Sequence, residues 1–212
     1  MDASDGGRAL TERQAARRDS VLKAAIALAS SGGYEAVQMR DVAAKARVAL
    51  GTLYRYFSSK DHLLVSCLGQ WTREFQRRIA LRPPTGSTPA QRVVDVLQRA
   101  ADALERSPDL MAAFVTGLTS LSADDPSGLA EAAEVYGLLT EFITDAMQDG
   151  GDDVERAAVI RVIGEVWLAT LIARVRGWAQ AGQMAEDLEA AVRLLLRDAG
   201  AGARRSVARA RA

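Results

Sequence analysis

Residues 38–57, QMRDVAAKARVALGTLYRYF, gather the side chains of this chain best suited to polar contact with a charged polymer. Met39, Val42, Ala43, Val48, Leu53 and Phe57 fall at the spacings of two short helices joined by a tight turn, a helix-turn-helix. Ala43 has to be small, because the second helix crosses close above it. Ala49, Leu50, Gly51, Thr52, Tyr54, Arg55 and Tyr56 are then left on the outer face of the second helix. Hydroxyls, one cation and backbone bared by Gly51 suit phosphates and base edges. Thr52 fits a thymine methyl or a base edge, Tyr54 and Tyr56 reach phosphates with their hydroxyls, and Lys60 brings charge to the start of the next helix. The plainer alternative is a three-helix bundle whose tyrosines are merely solvated.

Catalytic parts are scarce. His62 is the only histidine, there is one cysteine, and neither metal-ligand spacing nor a phosphate loop occurs, so no cofactor is expected. His62, early in the fourth helix, is expected to be exposed. Cys67 lies three residues after Leu64 on an apolar face and reads as a small buried hydrophobe. The pairs Asp124-Asp125 and Asp152-Asp153 fall at helix starts, where carboxylates favour the helix dipole without any catalytic role.

The elements that must position these groups are helical throughout, since apolar residues recur at helical spacing and strand alternation is almost absent. The fold class is all-α with nine helices, expected at about 11–31, 39–46, 49–56, 59–81, 89–106, 108–121, 128–148, 153–180 and 184–198. Thr11 reads as the first cap, Gly32-Gly33 as the stop, and Thr88-Pro89 as a cap followed by the proline-tolerant first position. Charge divides the 212 residues: ten Lys/Arg against six Asp/Glu over 1–60, 13 against 21 over 61–203, and four arginines after 203. A basic N-terminal unit is thus joined to an acidic body although the net charge is zero. The expected organisation is a DNA-binding domain at 1–58, a ligand-binding and dimerisation domain at 59–200, and a basic, disordered tail at 201–212. With no long uncharged apolar run and no leader-like N-terminus, no membrane partner and a cytoplasmic location are expected.

Residues 33–68, containing GTLYRYF followed by a Ser-Lys helix start, closely resemble the DNA-binding signature of the TetR family of transcriptional regulators. That resemblance implies that Gln38 and Arg40 meet the DNA backbone, that 49–56 is the recognition helix, and that Lys60 grips a phosphate. It further implies a homodimer, bound to double-stranded operator DNA, that pairs the last two helices of each chain. Two positions depart from the pattern. Arg47 stands where the family usually has glycine, making it a candidate DNA contact, and Ala49 stands where serine is usual. GGYEAVQMR, VALGTLYRYF, VWLATLIA and AVRLLLRD are similar to the ketosteroid, or cholesterol-catabolism, repressor subgroup.

For the second half, Trp71, Phe75, Met111, Phe114, Val115, Leu118, Tyr136, Leu139, Phe142 and Trp167 are the candidate lining of a ligand site, with core packing the competing role for each. Gly117 and Gly137, inside helices where alanine is better by about 1 kcal/mol, ask for room for a ligand or for close helix contact. Few polar groups accompany them, which suits a bulky lipophilic effector, and the subgroup resemblance implies a steroid or an acyl-CoA derivative of one. Wide apolar faces on 153–198, including Ala158, Val162, Ala169, Ala173, Val192 and Leu195, suggest self-association. The expected function is a repressor released from its operator by such an effector; the alternatives are a ligand-independent DNA-binding protein or a helical enzyme.

Overall fold

A computed structural model describes residues 3–147 and 153–209, with side chains described over 12–147 and 154–196. Among the described residues there are nine helices and no strand: α1 (Ala3–Ala36), α2 (Met39–Ala46), α3 (Leu50–Tyr56), α4 (Lys60–Leu81), α5 (Pro89–Glu105), α6 (Pro108–Thr119), α7 (Pro126–Met147), α8 (Asp153–Val175) and α9 (Gln183–Arg209).

The local signals explain most boundaries. α1 loses helical geometry at Gly32 and Gly33, where Gly33 takes φ +65°, so the expected stop is a kink before a last short turn. At α5 the Thr88 hydroxyl accepts from the Gln91 N–H while the Gln91 side chain answers the Thr88 N–H, a full capping box with Pro89 behind it. Three ends moved. α1 starts at Ala3, ahead of the expected Thr11 cap. α8 stops at Val175 and not near 180, because Gly177 and Gly182 take left-handed φ of +74° and +84° and the Trp178 N–H closes on the Ala173 carbonyl. α9 continues to Arg209, so 201–209 of the expected disordered tail belong to a helix, and 210–212 lie outside the described residues. Asp152 lies outside them as well.

The chain forms two compact units. One comprises the residues up to Trp71 with Ser107–Val135; the other comprises Thr72–Arg106 with the residues from Tyr136 onward. α4 and α7 each contribute to both. The contacts therefore group α6 and the first turns of α7 with the N-terminal helices. The cause is visible in the packing: α6 lies along α1, and Gly117 brings α6 so close to α4 that a Cβ there would stand 2.7 Å from the Leu64 Cβ. Of the two reasons the sequence left open for Gly117, close helix contact is the one observed. Gly137 differs, since a Cβ there would meet nothing within 4 Å.

Val21, Val42, Leu53, Phe57, Leu64 and Cys67 are fully buried in the first unit, and Val93, Ile163, Met184 and Leu188 in the second. Burial pushes the Cys67 thiol far up, leaving it unreactive. Among the described residues, no helix is long and apolar enough to cross a membrane.

Candidate nucleic-acid interface

α2 and α3 are too short to be stable alone, and their order comes from the face they bury. Val42, Ala43, Leu53 and Phe57 are inside as expected, whereas Met39 and Val48 are only half-buried. Arg47 ends α2 in the left-handed region at φ 55°, ψ 44°, the sole non-glycine residue with positive φ among those described. In that pose the Arg47 N–H reaches the Ala44 carbonyl at 3.1 Å and the Val48 N–H reaches that of Ala43 at 3.0 Å. Glycine does this without strain, whereas arginine bears a cost of about 1 kcal/mol. Arg47→Gly is expected to raise stability by about that amount in a urea titration. If the exposed guanidinium meets DNA, affinity for every duplex falls at the same time, a divergence that a loss of folding cannot produce.

α3 starts after Ala49, which is extended and supplies no side-chain cap. Gly51 is open, Tyr54 and Arg55 are exposed, and Leu50, Thr52 and Tyr56 are half-buried on the outward side. The Tyr56 ring tilts against Phe57 with 6.3 Å between centroids, which leaves its hydroxyl as the part free for polar contact. At the start of α2, Gln38 and Arg40 are exposed, and the Gln38 amide donates to the Glu35 carbonyl at 3.0 Å. Lys60 is partly covered: its Nζ sits 3.6 Å over the Tyr34 ring. Burial lowers its pKa, while burial and then the 2.7 Å hydrogen bond to Asp61 push the Tyr34 hydroxyl up to about 12. The eleven DNA-contact candidates thus fall on the start of α2, the turn, α3 and the start of α4, one continuous stretch of the first unit.

His62 corrects the sequence expectation. It is 6 % exposed, not solvated, because its ring lies edge-on to Phe57 at 5.6 Å and its Nδ1 accepts the Ser58 N–H at 3.2 Å. Burial lowers its pKa. Sequence reasoning also missed Tyr34, which pairs with Lys60 across a gap in the chain that no local pattern encodes.

The ten ligand candidates divide between the units. Trp71, Met111, Phe114, Val115 and Leu118 are in the first, where Met111, Phe114 and Val115 are buried in the core. Phe75, Tyr136, Leu139, Phe142 and Trp167 are in the second. There Phe75 and Phe142 meet edge-on at 5.4 Å, Trp167 is buried, and Tyr136 is 42 % exposed. Two of the hollows among the described residues open in this unit. One of about 400 Å³ has Ile79, Ala80, Pro83, Pro84, Val96 and Phe142 in its wall. The other, of about 470 Å³, combines Phe75, Ile79, Leu81 and Ala103 with Arg78, Arg82, Arg99 and Arg106. Spacing could not have shown the arginines, because they come from α4, α5 and the residues that follow each.

An outward helix face of hydroxyls, a cation and bare backbone, placed by a two-helix corner, defines a helix-turn-helix DNA-binding protein. Residues 21–67 match the family model for bacterial regulatory proteins of the TetR family, and residues 86–195 match that for the tetracycline repressor-like C-terminal domain. The chain belongs to the TetR family of transcriptional regulators. It is similar to the HTH-type transcriptional repressor KstR of Mycolicibacterium smegmatis, with 42% identity over 192 residues covering 88% of this chain and 90% of the relative. KstR of Rhodococcus jostii is 43% identical over 186 residues, covering 87% and 85%. Among solved structures, a TetR transcriptional regulator from Rhodococcus sp. superposes with a TM-score of 0.79 at 29% identity, covering 87% of this chain and 97% of the other. The Thermus thermophilus repressor FadR, solved in complex with lauroyl-CoA, shares the fold at TM-score 0.61 and 22% identity, covering 84% and 93%.

Proposed function

We propose that this chain is a ligand-responsive repressor of steroid or lipid catabolism genes, binding its operator as a homodimer and released by a bulky lipophilic effector. The observation that carries this reading is the intact α2–α3 corner in a chain alike over almost nine-tenths of its length to KstR repressors. Gln38, Arg40, Arg47, Ala49 to Thr52, Tyr54 to Tyr56 and Lys60 form the DNA face, within a DNA-binding segment at 1–58. Residues 59–200 serve effector binding and dimerisation.

For the effector, the arginine-bearing hollow is the best-supported site. Residues 72–106 carry seven arginines against four carboxylates, while 107–203 carry six against sixteen. Arg99 is held by Asp95 at 2.6 Å, but Arg82 and Arg106 have no carboxylate partner among the described residues. Apolar walls with unpaired guanidiniums suit a molecule with a lipophilic body and an anionic head, such as an acyl-CoA thioester of a steroid or fatty acid. α4 starts beside the recognition helix and carries Phe75 and Ile79 into the hollow's wall, so it is the natural lever. For the dimer, α8 and α9 leave Ala158, Leu168, Ala169 and Leu194 exposed, although Val192 is buried within its own chain. A two-fold pair sets recognition helices about 34–36 Å apart, one turn of DNA.

The test is displacement of a fluorescent operator duplex by a steroid acid, its CoA thioester, lauroyl-CoA and free CoA, with light scattering of the free protein alongside. Release by at least one lipophilic probe and a dimer mass are expected. Arg82→Ala with Arg106→Ala should weaken the thioester response about tenfold, the loss of roughly one charged hydrogen bond. A chain that binds DNA but releases it for no probe is a ligand-independent DNA-binding protein.

A further inference from the structure

The recognition helix is held at its exit by a carboxylate from α7. Asp125 precedes Pro126 and caps α7, its Oδ1 accepting the Gly128 N–H at 3.0 Å. Its Oδ2 is used elsewhere: it accepts the Ser58 hydroxyl at 2.7 Å and the Ser59 hydroxyl at 3.2 Å. Those two serines are the link between α3 and α4, directly after Phe57. The Ser58 hydroxyl also lies 2.9 Å from His62 Nδ1. The turn is therefore fixed by one carboxylate and one ring. A second tie runs parallel, because Glu131 of α7 binds Arg18 at 3.1 Å and the Arg18 guanidinium lies 5.5 Å above the Phe57 ring.

Asp125 is built to stay ionised. The Gly128 N–H and the Ser58 and Ser59 hydroxyls together hold its carboxyl below the usual range. Space is kept for it too, since a Cβ on Gly128 would stand 3.0 Å from Oδ2 and 2.5 Å from the Leu121 Cδ2. A cap needs one oxygen. The second oxygen, bonded twice to residues 66 and 67 positions away, is beyond what α7 itself requires.

We propose that Asp125 is a positioning residue for DNA binding, tying the start of α7 to the exit of the recognition helix through Ser58 and Ser59. The carboxylate touches no DNA. It fixes the direction in which α3 leaves the corner, and with it the placement of Thr52 and Tyr54 against base edges. Phosphate contacts are less demanding of that angle, so loss of the tie acts on sequence-specific binding first.

The experiment uses the full-length chain, an operator duplex enriched from random DNA by the wild type, and a scrambled duplex of equal length. Asp125→Ser retains a capping oxygen but is too short to reach Ser58. Operator affinity is expected to fall about tenfold. Affinity for scrambled DNA should hold or rise, because a negative charge has been removed from a DNA-binding unit. Ser58→Ala, made from the other side, should give a comparable loss, and the double variant no more than either single. Asp125→Asn, which keeps both the cap and a hydrogen-bonding partner for Ser58, should restore most of the discrimination. Losses that are equal on both duplexes, that add in the double variant, or that track a fall in melting temperature overturn the tie, as does unchanged operator affinity. The inference rests on the DNA-binding reading: a wild type that enriches no duplex overturns both, whereas a selective wild type with unaffected variants overturns only the tie.

Discussion

Gly117→Leu is expected to cost about 3 kcal/mol of stability, the upper end of what overpacking does to a closed core. At this position even a Cβ would stand 2.7 Å from the Leu64 Cβ and 3.6 Å from the Asp61 carbonyl. Leu64 is fully buried and has nowhere to yield. Leucine therefore forces α6 away from α4 and opens the core that supports the helix-turn-helix. Operator binding should fall only where the folded fraction falls, which a urea titration followed by both fluorescence and DNA binding will show. Gly137→Ala provides the opposite sign. With nothing within 4 Å of the new Cβ, the lower entropy of the unfolded chain should add about 0.5–1 kcal/mol. If Gly117→Leu is as stable as wild type, the contact between α4 and α6 is looser than the structure gives, and a ligand-sized space there has to be reconsidered.

Thr52→Ala is expected to weaken operator binding by about 1–3 kcal/mol, or roughly 5- to 150-fold, with little change on scrambled DNA. Thr52 is half-buried on α3, and its branched Cβ restricts the rotamers its methyl and hydroxyl can take. Lys60→Ala should behave differently. Its ammonium is held over the Tyr34 ring at the start of α4, where a phosphate rather than a base edge is the natural partner. Binding should weaken by a similar factor on both duplexes, and the slope of log affinity against log salt should fall by about one. Titrations at four salt concentrations separate the two variants. A Thr52→Ala loss equal on operator and scrambled DNA would move Thr52 to the backbone contacts, and an unchanged salt slope would remove Lys60 from them.

The groups proposed for DNA contact were legible because each depends on neighbours a few residues away. Apolar spacing over 39–57 fixed which side of α3 turns outward, and the run GTLYRYF carried the family resemblance that the matches over 21–67 and 86–195 bear out. The helix count and the Thr88-Pro89 start followed from caps and prolines for the same reason. Cys67, placed inside by its spacing from Leu64, is fully buried.

Contacts between residues far apart in sequence were not legible. One contact close in sequence was missed as well: His62 was expected to be exposed from its early place in the fourth helix, yet the Phe57 ring and the Ser58 N–H, five and four residues before it, enclose it. Gly117 carried a correct signal, a missing side chain in a helix, but only Leu64 across the α4–α6 contact says what fills the space. Asp125 was placed at the start of its own helix, where a carboxylate favours the dipole; the structure shows Oδ1 capping that helix at Gly128 and Oδ2 engaged by Ser58 and Ser59, and nothing in the sequence near either end announces the other. Helix period and capping are properties of a single turn, so the order of residues determines them. Which turns come together is set by how the chain closes its apolar faces, and that sum over the whole chain decided the tie at the recognition helix and the arginine-bearing hollow.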